Sequence, residues 1–163
     1  MGFPVDLSAR FLHVIVAVLL VGGAMFTRFV LMPAAAELPE DEHTKLKERI
    51  ANRWKRFVML GILVLLVTGF YNYLAVTAPA HKGDGKYHMF MGIKMLLAFV
   101  VFFLASALSG RSKALEFFRR DAGKWLLVLI LLASVVIGLG SLLKIRGNPN
   151  APAAVVATQE ESN

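Results

Sequence analysis

The stretch KYHMFMGIKM, residues 86–95, crowds a histidine, three methionines and two lysines into one end of an otherwise apolar run. Side chains three or four residues apart share a helix face. His88, Met91, Gly92 and Met95 therefore form one stripe, and Tyr87, Met91 and Lys94 a neighbouring one. Imidazole and thioether suit copper, Cu(I) above all, although methionine is also an ordinary core filler. Gly92 carries no side chain to keep a flat macrocycle or a second helix away. A second histidine, His13, stands early in the first apolar run. Two histidines at similar depth on different helices could ligate a metal or clamp a haem from both faces, since bundles build cofactor sites from facing helices. The plainer alternative is two polar residues hydrated near an interface. The metal candidates are thus His13, His88, Met91 and Met95. As haem ligands they are His13 and His88, with Met91 or Met95 in place of the second. His43 and His81 fall in connections and read as solvent-exposed.

Lys94 raises a different question. It lies about 9 Å below the start of its helix at a rise of about 1.5 Å per residue. An unpaired ammonium in hydrocarbon is expensive and usually has a partner or a role, yet no apolar run here contains an Asp or Glu. Lys94 must either snorkel to the interface or meet an anion from outside the chain, such as a porphyrin propionate, a lipid phosphate or an acidic substrate. It is the candidate catalytic residue. The same lack of acids argues against a proton-coupled pump. Tyr71 and Asn72, flanked by Thr68 and Tyr73, are candidates to surround and tune a cofactor. Ser134, Gly138 and Ser141 make a small-residue face suited to helix packing. Arg28 is expected to snorkel or to pair with Glu37.

The elements that must position these groups follow from hydropathy. The chain has 163 residues, 57% of them hydrophobic, no cysteine and a net charge of +7. Apolar blocks cover about 9–32, 57–76, 88–109 and 125–143. Each is near the roughly 20 residues a helix needs to cross a bilayer, and lipid forces such segments into helices. The expected fold is an all-α integral membrane protein, a bundle of four transmembrane helices within residues 1–146. Residues 147–163 would form a disordered tail. Absent cysteine removes disulfides and thiolate metal sites.

Charge supplies the orientation. Residues 33–56 carry Lys45, Lys47, Arg49, Arg53, Lys55 and Arg56, and residues 111–124 carry Arg111, Lys113, Arg119, Arg120 and Lys124. Basic short loops stay in the cytoplasm, which predicts both termini on the outer, periplasmic side. The basic charge thus marks topology and membrane lipid, with no nucleic-acid partner. Pro39 and the acids after it begin a helix whose Leu46, Ile50 and Trp54 form one apolar face, expected to lie on the inner membrane surface. Asp6 or Ser8 would cap the first helix. TAPAHKGDGKY reads as turn and coil. PAAAE resembles a cleavage site, but the preceding run is long for a signal peptide, so the first helix is read as uncleaved. No internal repeat suggests an inverted-repeat transporter.

Three stretches carry a resemblance: RFLHVIVAVLLVGGAMFTRFVLMPAA, RFVMLGILVLLVTGFYNYL and GIKMLLAFVVFFLASALSG. Together they resemble the superfamily of small membrane proteins that includes the copper-resistance protein CopD and HemJ-type protoporphyrinogen oxidases. In HemJ-like proteins an early histidine and a third-helix lysine are hallmarks and a b-type haem is associated. The matching positions are His13 and Lys94. Such sequences place a histidine two residues before the lysine, where this chain has Gly92. The resemblance implies a bacterial inner-membrane, multi-pass protein that binds haem b for electron transfer or porphyrin-linked oxidation, an oxidoreductase of the protoporphyrinogen oxidase kind. A CopD-like alternative implies copper transport or delivery. A third reading, drawn from the helices alone, is a non-catalytic accessory subunit in a homodimer or larger membrane complex.

Overall fold

A computed structural model describes residues 3–110 and 112–147; Arg111 and the tail read above as disordered (its residues 148–163) lie outside them. Among the described residues all regular structure is helical. The helices are α1 (Phe3–Phe26), α2 (Met32–Ala36), α3 (Glu40–Tyr71), α4 (Ala78–Ala80), α5 (Gly85–Ser109), α6 (Glu116–Arg120) and α7 (Ala122–Arg146). Four continuous helical stretches are long and apolar enough to cross a membrane: Phe3–Ala36, Glu40–Ala80, Gly85–Ser109 and Ala122–Arg146.

The first two stretches run past their sequence-predicted ends at 32 and 76 because neither Pro33 nor Pro79 stops its helix. Proline lacks an N–H and its ring clashes with the carbonyl four residues back. Widening the turn to the π form accommodates that clash. Thr27–Leu31, ahead of Pro33, and Asn72–Thr77, ahead of Pro79, are both π turns. Each also involves a threonine hydroxyl: Thr27 donates to the Gly23 carbonyl at 2.7 Å and Thr77 to that of Asn72 at 2.5 Å. Residues 78–80, expected in coil, are therefore helical, and the chain reverses afterwards at Gly83, whose φ of 85° suits glycine.

Other local expectations change. Neither Asp6 nor Ser8 caps α1: the helix already begins at Phe3, and Ser8 bonds back to the Pro4 carbonyl at 2.7 Å. The basic lead-in and the second span form one unbroken helix, α3, beginning after Pro39. No proline interrupts it, so Leu46, Ile50 and Trp54 face the bundle interior.

α1 packs chiefly on α3 and α5 on α7, while α3 against α5 and α1 against α7 close the ring. The tightest packing joins Ala24, Leu104, Leu126, Leu129 and Ile130. Small residues permit the close approaches: Ala107 is fully buried, and the Trp54 ring lies directly over Gly23, where there is no room for a Cβ. Outward positions are apolar, with Leu60, Leu96 and Leu131 all exposed. A side chain of that kind gains nothing from water. The Ser134, Gly138 and Ser141 face expected to pack meets no neighbouring helix closely, and Ser141 lines the central cavity. Its serines bond back to the carbonyls of Ile130 and Ile137, and nothing lies near Gly138.

Candidate functional site

The ring of helices encloses a cavity of about 1580 Å³ running nearly the length of the bundle. That exceeds the roughly 300–1,000 Å³ of ordinary small-molecule pockets. One end carries Phe3, the Asp84 turn and Arg146; we call it the terminal end. The other, the basic end, carries the Asp121 turn.

His13 projects from α1 at the terminal end and meets α3. Its Nδ1 lies 2.8 Å from the Thr68 hydroxyl, and its ring sits over Gly69, where a Cβ would come within 3.1 Å of Cε1. The roles in this bond can be worked out. Thr68 has one hydroxyl proton, which it donates to the Val64 carbonyl at 2.6 Å. Toward His13 it can then only accept, so Nδ1 carries the ring proton. A neutral imidazole protonated at Nδ1 keeps its lone pair on Nε2. That pair belongs to a ring lining the cavity, and Thr68 fixes its orientation as partners of metal-binding histidines do.

Lys94 reaches from α5 to α7 and lies on Gly140, whose Cβ position is 3.1 Å from Nζ. Any side chain at residue 140 would displace the ammonium. Arg10, His13, Lys94 and Lys144 line the same portion of the cavity. Asp6 lines it as well, but accepts a 2.7 Å hydrogen bond from the Tyr71 hydroxyl. Asn72, Met91 and Met95 complete the set.

His88 does not join it. Its Nδ1 is 3.1 Å from the Tyr73 hydroxyl and its Nε2 3.1 Å from the His81 carbonyl. A carbonyl only accepts, so Nε2 carries the proton and Nδ1 accepts from tyrosine. Both ring nitrogens are engaged, and His88 is not among the residues facing the cavity. Gly92 is likewise exposed, with nothing near its Cβ position. The stripe facing the interior is therefore Tyr87, Met91 and Lys94, extended by Met95. Among the described residues, no group of three or more His, Asp or Glu side chains gathers to hold a metal.

Several participants were not singled out in the sequence. Asp84, only 5% exposed, accepts from the Tyr87 amide at 3.0 Å, capping α5, and pairs with Arg146 at 3.1 Å. The Tyr87 amide, opposed by burial and helped by Arg146, holds its carboxyl below the usual range. This clasp ties the start of α5 to the end of α7. An acid immediately before an aromatic-rich helix start was the only available cue. His81, expected in solvent, stacks on Tyr87 at 3.7 Å between ring centroids, and His43 also lines the cavity. Arg28 pairs with neither Glu37 nor water alone, because its Nε donates to the Gly123 carbonyl at 2.9 Å.

Would these residues fit a haem? Its iron needs an imidazole lone pair and its propionates need cations, within an apolar slot. His13 offers the first, Arg10 and Lys94 the second, and the cavity the third. His88, with both ring nitrogens engaged, could not ligate it, so Met91 or Met95 would supply any further donor, through sulfur. Compared with protein-family profiles, curated proteins and solved structures, the chain matches none.

Proposed function

We propose that this chain is a four-span membrane protein that binds haem b against His13 and serves electron transfer or porphyrin-linked oxidation. Its termini and site lie on the outer side of a bacterial inner membrane. Four apolar helices with outward leucines support membrane residence, and the basic 33–56 and 111–124 segments support the orientation. One observation carries the cofactor reading: Thr68 holds His13 in the tautomer that frees Nε2 within a wide apolar cavity.

Each residue then has a task. His13 ligates and is held in rotation by Thr68. Lys94 and Arg10 neutralise propionates or an anionic porphyrin substrate. Apolar walls exclude water, which strengthens those charge contacts. Bound haem supplies one-electron exchange at its iron; its potential is set by the ligands and surroundings.

The test is an oxidised-minus-reduced visible spectrum of the protein purified in mild detergent, with metal analysis of the same sample. Sharp Soret and α bands with stoichiometric iron are expected. A colourless sample containing stoichiometric copper would replace this reading with the second one. That alternative draws on Met91 and Met95 lining the same cavity as His13, a donor set agreeable to Cu(I). A sample with neither, expressed with both supplied, would sink both.

A further inference from the structure

The basic end of the cavity has no part in the haem reading, yet it is the more strongly charged end. Arg28 from the first π turn, Lys47 from α3, Arg119 and Arg120 from α6 and Lys124 from α7 all line it. They come from separate segments of the chain, and folding alone brings them to one opening. The acid lining that opening is Asp121, 3.5 Å from Lys124. Arg119 donates through Nη2 to the Ser112 carbonyl at 2.7 Å, while its Nη1 is buried with no hydrogen-bond partner among the described residues. A guanidinium half satisfied and half orphaned is costly unless an anion completes it.

Behind these cations the walls turn apolar at once. Met32 and Ala35 stand on one side, and Ile50 and Trp54 on another. A charged opening leading into a hydrocarbon-lined slot suits a molecule with one anionic head and a long apolar chain. We propose that the basic end of the cavity binds an anionic phospholipid. Its phosphate sits among Arg28, Arg119 and Arg120, and an acyl chain runs inward past Trp54. The occupant is chosen by charge complementarity: five cations face one acid that is already paired. A zwitterionic lipid would bring its own cation into this cluster and be disfavoured. Free phosphate would satisfy the cations but leave the apolar slot behind them unfilled.

The experiment is native mass spectrometry of the full chain released from mild detergent. Equal concentrations of phosphatidylglycerol and phosphatidylcholine are offered, with and without millimolar inorganic phosphate. One tightly retained phosphatidylglycerol is expected, unaffected by phosphate. Double replacement Arg119→Gln with Arg120→Gln should lower its retention about thirtyfold, from two lost cation contacts at an interface. Lys113→Gln, a single charge loss on an exposed residue that does not line the cavity, should change it little. Should the double variant not fold, exposed Lys47→Gln gives the same reading from α3 with a smaller loss. Release by inorganic phosphate would show a free-anion site and overturn the lipid assignment. Equal retention of the two lipids, or equal loss in the Lys113 variant, would overturn it as well. The lipid adduct is read by mass, so this result stands apart from the visible spectrum.

Discussion

The sequence places His13 and His88 at comparable depth near the outer ends of their apolar runs and treats them alike. The structure does not. His13 spends one nitrogen on Thr68 and keeps the other for the cavity, whereas His88 spends both, on Tyr73 and on the His81 carbonyl. His13 is thus equipped to hold a ligand, and His88 to hold the turn between α4 and α5. Having a histidine matters less than having a nitrogen left over. The neighbours decide that, through which of them can donate and which can only accept.

Breaking this contrast outright calls for two alanine variants. His13→Ala is expected to abolish haem absorption, and His88→Ala to retain it, judged by reduced-minus-oxidised spectra at equal protein. The opposite pattern would reverse the assignment of roles. Thr68→Val is the next largest test. It removes the acceptor that fixes the His13 tautomer, and loss of such a partner typically weakens metal binding about 10- to 100-fold. We expect haem to be lost on dilution at least about tenfold more readily; an unchanged affinity would mean that Thr68 does not hold the ring.

The turn that His88 supports can be tested through Asp84. Its carboxyl is depressed below the ordinary 3.8 by the Tyr87 amide and by Arg146. The stability it contributes is therefore complete above that ordinary value and lost as pH falls through the lower folded value. Asp84→Asn should lower Tm at neutral pH and flatten the acid-side fall in Tm below about pH 4. A variant with the wild-type acid profile would assign that fall to other groups. Haem affinity should be affected far less than by Thr68→Val. The smallest effect is expected from Tyr73→Phe, which removes one hydrogen bond to His88. It should cost about 1 kcal/mol in unfolding free energy and leave the visible spectrum unchanged.

Much of the scaffold was legible from hydropathy because helix formation in an apolar run is a local matter. The four spans, the helix start at Pro39 and the inward placement of Met91, Lys94 and Met95 all follow from runs and spacing. The departures have equally local explanations that spacing does not reveal. Both prolines were absorbed by π turns, so two spans run on farther than expected. Gly92 was expected to receive a close neighbour, but the close approaches fall at Gly23, Gly69 and Gly140, under Trp54, His13 and Lys94. Helix rotation made that choice. A shift of one residue turns a side chain by about 100°, enough to swap cavity for exterior.

By itself, then, the sequence determined how many apolar helices form, where the positive charge clusters and which residue types could do chemistry. These depend on neighbours along the chain. Tertiary structure alone decided that His13 and not His88 keeps a free nitrogen, that Asp84 is clasped by Arg146 and that five cations from separate segments line one cavity. Those outcomes depend on which helix faces touch across dozens of residues of chain, a matter of packing that no local pattern encodes.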